Sequence, residues 1–543
     1  MSEQHKASSS RDPALEIARS ILTEAAQRPW LAALLMRRRP AWLTRLLQLA
    51  QWVRNLPHHT RRVLRRKLAY GLAAATLLLA LAGTPTVYAG TITVDSGAAG
   101  VVIDGKCSLA EAIINANDDA ALSPDCAAGS GADTITLPVS DTLSYATALG
   151  FNAALPNITS PITIEGRGST IRRAGAGTDF RILNIQYYDV NVTLNQVTIS
   201  GGNVTSFGGN GGGIANYRAG TLTVTNSTIS GNTAGAGAGG IANYGGGTLI
   251  VLNSTVSGNT ANHGGGIFSN GTGTLTVQNS TISGNTATSN DGGGIDNGSG
   301  TLAVQNSTIV SNTATASNGG GINNGGGGTL TVQNSTIVSN TTANHGGGIF
   351  NSGIETVENS TLSGNTATFG GGGIADIGGV TSVQNSIVAG QTSGDDCYNA
   401  GVISSSGYNI ESGTSCGFDP SIVTGDQWNV DNSSLKLLPL ANNGGPTWTQ
   451  ALGNGSVAIE KIPAASCGTP TDQRGYARPG NRNQPTNKCE IGAWEAQLAD
   501  PTAITLRDLT ATANTSSGVI GAAFAALAAL GALLIGRRRL KIR

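Results

Sequence analysis

From Thr221 onward the apolar positions keep a schedule. Leu222 and Val224 alternate with threonines, Ile229 follows a polar Asn-Ser-Thr break, and Ile241 follows two glycines. The same parts return in units that start at residues 221, 248, 274, 301, 329, 354 and 380, a period near 26. A less regular unit precedes them at Val192. Alternation marks the first part as a strand with one buried side. The second apolar position is Ile229, Val256, Ile282, Ile309, Ile337 and Leu362 in turn, and the third is the isoleucine of Gly-Gly-Ile, from Ile214 to Ile374. Three short strands per period predict an all-β chain, each unit one rung of a parallel β-helix. Stacked rungs lie about 4.8 Å apart and bury an apolar interior that no single rung closes.

Composition narrows the alternatives. Units of Thr, Ser, Asn, Gly and β-branched residues are poor helix formers and good strand-and-turn formers. No proline falls between Pro161 and Pro420, so no ladder donor is missing there. Glycine is frequent, 78 of 543 residues, but no Gly-X-Y period appears, which excludes collagen. With 39% hydrophobic residues and zero net charge, the chain also has enough to bury that simple disorder is excluded.

Asparagine recurs at two offsets. One column is Asn226, Asn253, Asn279, Asn306, Asn334, Asn359 and Asn385; the other is Asn232, Asn259, Asn285, Asn312, Asn340 and Asn365. Asn tolerates left-handed backbone and its amides can stack, so both columns are expected to be structural corner ladders. The Gly-Gly-Gly-Ile loops have no following helix or lysine and are not phosphate cradles. Glu355 and Thr381 stand where the repeat calls for leucine, and a bulge that re-aims the strand is the expected cause.

Charge divides the chain into blocks. Residues 1–67 hold 14 Lys/Arg against 4 Asp/Glu, the last seven residues hold five more basic groups, and the remainder holds 13 basic and 28 acidic residues. An acidic body disfavours a nucleic-acid partner. Leu68–Ala82 is an uncharged run after Arg65-Arg66-Lys67 and before Val87-Tyr88-Ala89, the pattern of a secretory signal cut after Ala89. Val519–Gly536 is a second uncharged run, followed by Arg537-Arg538-Arg539, the pattern of a transmembrane anchor with its basic tail inside. The expected organisation is a head and signal (1–89), a cap with irregular rungs (90–191) and regular rungs (192–396). C-terminal rungs and cap (397–497), a linker (498–518) and an anchor with tail (519–543) complete it. The body is expected on the bacterial cell surface, tethered to the membrane.

The six cysteines form three close pairs, Cys107/Cys126, Cys397/Cys416 and Cys467/Cys489, which in an exported chain suggest local disulfides. Metal-binding CxxC spacing is lacking. His263 and His345 occupy equivalent places three rungs apart, about 14 Å, too far to share a metal.

The flanks resemble a known family. Cys107-Ser-Leu-Ala-Glu-Ala-Ile-Ile-Asn-Ala-Asn with Gly-Ala-Asp-Thr-Ile-Thr-Leu at 131–137 is similar to the start of choice-of-anchor Q domain proteins of bacteria, with Ala110 replacing their usual arginine. Similar to their C-terminal part are Leu-Pro-Leu-Ala-Asn-Asn-Gly-Gly-Pro-Thr-Trp-Thr from Leu438, Thr-Asp-Gln-Arg-Gly-Tyr-Ala-Arg-Pro from Thr471 and Cys-Glu-Ile-Gly-Ala-Trp-Glu from Cys489. The resemblance covers roughly 91–497. It implies a pectin-lyase-like right-handed parallel β-helix at the cell surface and carries over no catalytic residues. Over about 192–390 the repeats also resemble those of chlamydial polymorphic outer-membrane proteins, which act as adhesins; their C-terminal barrel has no counterpart here.

Candidate chemistry is sparse. Asp291 and Asp296 flank Gly-Gly-Gly-Ile in one rung and are the candidate carboxylate pair for hydrolysis; Arg172 is the candidate base of a lyase. Asp118, Asp119 and Asp125, near Cys126, are the candidate calcium ligands; no other cofactor is expected. His263 and His345 sit alone in glycine-rich loops, which argues against Ser-His-Asp catalysis. Trp428, Trp448 and Trp494 follow the repeats and are expected to cover the open end of the helix. The favoured reading is a non-catalytic adhesin or stalk that binds an extracellular glycan or protein. A polysaccharide lyase or hydrolase on the same fold, and a plain spacer, are the alternatives.

Overall fold

The computed structural model describes residues 90–497 apart from 99, 176, 187–189, 207, 218, 219 and 481–486. The expected signal and anchor segments lie outside the described residues. Among those described, no helix is long and apolar enough to cross a membrane.

The repeats wind a right-handed parallel solenoid of about ten turns. A rung holds four strand segments rather than three, shown by Thr221–Thr225, Thr228–Ser230, Thr233–Ala234 and Ile241–Asn243, here walls A to D. The additional break falls at Gly231, whose φ of 62° turns the chain between walls B and C. Every wall pairs in parallel with the same wall of the next rung. On wall A, Leu222, Leu249, Leu275, Leu302 and Leu330 are in register, and on wall D Ile214, Ile241, Ile267, Ile295, Ile322, Ile349 and Ile374. All are fully buried, each contributing roughly 1.5–3 kcal/mol of burial.

Glu355 and Thr381 correct the expectation of a bulge. Leu330 pairs with Glu355, Glu355 with Thr381 and Thr381 with Ile403, without a register shift. Both polar side chains therefore point into the interior, 1% and 0% exposed. They meet Asp376 and Asn351 there: the Thr381 hydroxyl lies 2.6 Å from Asp376 Oδ2 and 3.0 Å from Glu355 Oε2, and Asn351 Nδ2–H donates to Asp376 Oδ2 at 2.9 Å. A carboxyl on an interior column stays in register when neighbouring polar groups take it up.

The two asparagine columns part company. The second is an amide ladder: Asn232, Asn259, Asn285, Asn312 and Asn340 each donate Nδ2–H to the Oδ1 of the next, at 2.9–3.0 Å. Each receiving Oδ1 also accepts the backbone N–H of the asparagine before it. The first column holds the corner between walls A and B, its φ values running from 47° to 52°. Beyond Asn226, which donates to Asn195, its members form no amide ladder among the described residues. A third column was not foreseen: Asn216 donates to Asn243, and Asn297, Asn324 and Asn351 lead in sequence to Asp376, at 2.8–2.9 Å.

At the N-terminal end the helix Leu109–Asp118 packs Leu109, Ala112, Ile113 and Ala116 into the core. Ser108 and Glu111 cap it reciprocally. All three expected disulfides are present: Cys107–Cys126 beside this helix, Cys397–Cys416 at the last strand of wall D, and Cys467–Cys489 in the C-terminal segment.

Candidate functional site

The segment from 437 to 497 does not plug the end of the solenoid, as its tryptophans suggested. It folds back along the side as a strap. Asn385 Nδ2–H donates to Ser466 O (2.8 Å), Asn359 to Thr469 Oγ1 (3.1 Å) and Asn334 to Thr471 O (3.0 Å), so successive corner asparagines grip successive strap residues. Further back, Thr447 Oγ1–H donates to Asn306 O at 3.0 Å. Gln473, fully buried, joins two rungs: its Nε2 lies 3.0 Å from Thr308 Oγ1, and its Oε1 accepts from Thr336 Oγ1–H at 2.6 Å.

The strap is held by a knot built from residues 472–478 and 490–495. Arg474 pairs with Asp472 at 2.8 Å, both side chains fully buried, and lies over the Tyr476 and Trp494 rings at 4.5 and 5.0 Å. Arg478 pairs with Glu495 at 3.4 Å, and the Glu495 carboxylate accepts N–H bonds from Gly480 and Glu490. Buried charges survive when they are paired and hydrogen-bonded, as Arg474 and Asp472 are; at Arg478 the two terminal nitrogens donate to Glu490 O and Gly492 O while Nε–H is left without a partner. Trp494 is buried under this knot, while Trp448 is 55% exposed and Trp428 38%.

The strap's far edge opens a hollow of about 260 Å³, lined by Thr281, Ser283, Thr308, Val310, Leu440 and Trp448. The Trp448 carbonyl is fixed by hydrogen bonds from Thr308 (2.6 Å) and Gln473 (3.0 Å). From here the uncovered part of wall B runs on as a track of hydroxyls: Thr281 and Ser283, Thr255 and Ser257, Thr228 and Ser230, in register. At the track's other end Arg167, Gly168, Gln196, Val197, Thr198, Asn226 and Thr228 line a second hollow of about 370 Å³.

The candidate acid–base residues lie elsewhere. Asp296 sits on the outward row of wall D between Phe268 and Asn323, 3% exposed. Its Oδ1 accepts from Asn323 Nδ2–H at 2.7 Å, and its Oδ2 faces His263 Nδ1 at 3.5 Å. His263 is therefore not alone: the neighbouring rung supplies a carboxylate that sequence distance concealed. Burial pushes the Asp296 carboxyl up, and the hydrogen bond with Asp296 pushes the His263 imidazole up. No serine, threonine or cysteine side chain hydrogen-bonds to His263 among the described residues. Asp291 is committed to the equivalent turn of the next rung, accepting from Asn318 N–H (2.8 Å) and Ser317 Oγ–H (2.5 Å). Arg172 stands four rungs away, about 19 Å along the axis, with its Nε–H on Ser144 Oγ.

Asp125 Oδ2 accepts from Asp104 and Gly105 N–H, and Asp119 Oδ1 from Gly131 N–H. No cluster of three or more His, Cys, Asp or Glu that could hold a metal occurs among the described residues, so Asp118, Asp119 and Asp125 are not gathered.

The sequence pattern of right-handed β-helix regions matches residues 164–337. Among solved structures the chain is similar to pectate lyase Pel9A, at 16% identity and a TM-score of 0.42, over 76% of this chain and 97% of that one. None of the curated proteins matches this sequence. The repeat match agrees with the stacked rungs described above; the lyase likeness carries no residue across.

Proposed function

We propose that this chain is an exported, membrane-tethered, non-catalytic β-helix of the cell surface that binds glycan along wall B, at the edge of the strap. Export and tethering rest on the two apolar runs and the charge blocks. The observation that carries the binding reading is the composition of the Trp448 hollow. Its lining is an indole, two aliphatic side chains and three hydroxyls, without an acid or a base. An aromatic wall with a few placed polar groups suits the apolar face and hydroxyl rim of a sugar ring. The hydroxyl track extends the same chemistry from rung to rung.

The test is retention of the full chain on an array of immobilised polysaccharides. Trp448→Ala should weaken retention by at least about tenfold. A second reading, polysaccharide lyase or hydrolase, draws on the His263–Asp296 pair. It would be favoured by unsaturated or newly reducing ends that vanish in Asp296→Asn. Neither retention nor cleavage would leave a protein-binding adhesin or a spacer.

A further inference from the structure

Between residues 192 and 400 the sequence holds seven aromatic residues: Phe207, Tyr217, Tyr244, Phe268, Phe350, Phe369 and Tyr398. Phe207 lies outside the described residues. The other six stand on the outward row of wall D, at its end or in the loop leading into it, as do His263 and His345. Packing does not require them there, because the interior columns of these rungs are aliphatic. On the strands Ile241–Asn243, Ile267–Ser269 and Ile349–Asn351 wall D offers one outward side chain, since the residues on either side of it are buried; at Tyr398 the following Asn399 is exposed as well.

The rings form two groups. Tyr217 stacks on Tyr244 at 5.7 Å, Tyr244 meets Phe268 edge-on at 5.4 Å, and His263 stacks on Phe268 at 5.5 Å. Asp296 and Asn323 follow on the row, then Phe350. In the second group His345 lies 5.9 Å from Phe369 and 4.6 Å from Tyr398. This group is open: Phe369 is 67% exposed and Tyr398 39%. Gly370, at φ 141°, backs onto Tyr398, and a Cβ there would come within 3.0 Å of the ring. The glycine lets the ring lie against the backbone.

We infer that this row is a second carbohydrate platform, distinct from the Trp448 hollow, which takes a linear glycan laid along the solenoid axis with sugar rings against Phe369, Tyr398 and Phe350. Shape decides between a glycan and a protein partner. From Tyr217 to Tyr398 the row spans seven rung steps, about 34 Å. To bury the roughly 800 Å² per partner of a stable protein interface, such a strip would have to be about 24 Å wide. It is one or two side chains wide, at its broadest a loop residue beside a strand residue such as His263 beside Phe268, which falls short of that width. A polysaccharide is a ligand as narrow as the row. Charge agrees, because Asp296 is buried against His263 and the open rings carry none, so the fit is to neutral sugars. The ligand class rests on the glycan-binding reading, whereas the site does not.

The experiment titrates the full chain with hexamers of β-1,4-glucose, β-1,4-mannose and β-1,4-N-acetylglucosamine, following binding by calorimetry and saturation-transfer NMR. The double variant Phe369→Ala/Tyr398→Ala should weaken one binding event by at least about tenfold, while Trp448→Ala leaves that event in place. Phe369→Tyr/Tyr398→Phe should retain it, and unchanged melting curves would show that the wall remains folded. The inference is overturned if the double variant binds like the wild type, if no hexamer binds, or if wall D is buried by self-association in sedimentation. Loss in Trp448→Ala alone removes this second site and leaves the wall B reading standing. Loss in the double variant alone does the reverse.

Discussion

The rungs that start at residues 221 and 329 carry the same Asn-Ser-Thr triplet and meet different surroundings. Asn226 and Asn334 turn the same corner, at φ 50° and 47°. Asn226 is exposed; Asn334 is buried under the strap. Thr228 is half-buried on the open track, whereas Thr336 is 0% exposed and donates to Gln473. Beyond the rung at 329 the interior differs too, since the column that reads Leu222, Leu249 and Leu275 in the open half, and still Leu330, goes on to Glu355 and Thr381 in the next two rungs under the strap. The repeat determines the backbone. Which copies of it meet solvent is decided by the part of the chain that does not repeat.

The interior difference carries the largest expected effect. A threonine hydroxyl has one proton, and the shorter contact gives it to Asp376. Glu355 lies 3.0 Å from the same hydroxyl and is 1% exposed, with Asp376 a second carboxylate nearby. Burial accordingly pushes its carboxyl from 4.5 up to about 8. The folded chain keeps a proton that the unfolded chain releases above about 4.5, so this contribution to stability is full below that pH. It is lost as pH rises towards about 8, a change on the order of 5 kcal/mol. Glu355→Leu, which restores the column of the open half, should remove that slope. Denaturant melts of both proteins across the range check this; parallel curves would mean that Glu355 is not held neutral.

Next in size is the knot. Arg474→Ala leaves the Asp472 carboxylate buried without its partner, a loss of about 3–5 kcal/mol. The consequence is local: the corners at Asn334, Asn359 and Asn385 should exchange amide hydrogens as readily as those at Asn226 and Asn253. Protection that stays in place under the strap would show that the rungs do not need it.

The amide ladder runs through both halves and should not distinguish them. Asn285→Ala removes the acceptor of the Asn259 side-chain and backbone N–H groups and the side-chain donor to Asn312, leaving only the backbone N–H of residue 285 on Asn312 Oδ1. Asn340→Ala does the same one half later. Each should cost about 1–3 kcal/mol in thermal or denaturant unfolding. A large difference between them would mean that the strap also stabilises the far wall.

These outcomes follow how far the sequence could be read. Rung register, the aliphatic columns and the close cysteine pairs are local or periodic, so period and residue type sufficed. The third amide column is legible as well, in the residue two places after five of the seven Gly-Gly-Ile isoleucines (Asn216, Asn243, Asn297, Asn324, Asn351), Ser269 and Asp376 holding the other two places. The strap's path was not legible, because contacts such as Gln473 with Thr308 join parts of the chain 165 residues apart without a shared pattern. For the same reason His263 read as isolated, its partner Asp296 being one rung onward. Glu355 was misread because a lone carboxylate on an apolar column is costly unless partners surround it, and Asp376, Asn351 and Thr381 come from neighbouring strands.

The smallest effect tests the comparison at a single corner. Asn253 and Asn334 share a left-handed backbone, at φ 48° and 47°, which glycine adopts without strain. Asn253→Gly and Asn334→Gly therefore lose the same unfolded-chain restriction, and that common cost cancels in their difference. What remains is the side chain. Asn253 is exposed, whereas Asn334 donates to Thr471 O at 3.0 Å and accepts from Thr469 Oγ1–H at 2.9 Å. Two hydrogen bonds to a strap also held by the knot and Gln473 should make Asn334→Gly the costlier change by about 1 kcal/mol. Denaturant midpoints resolve a difference of that size when the slopes agree. Equal midpoints would mean that the strap adds nothing at this corner, and that the contrast between open and covered rungs is one of exposure without energy.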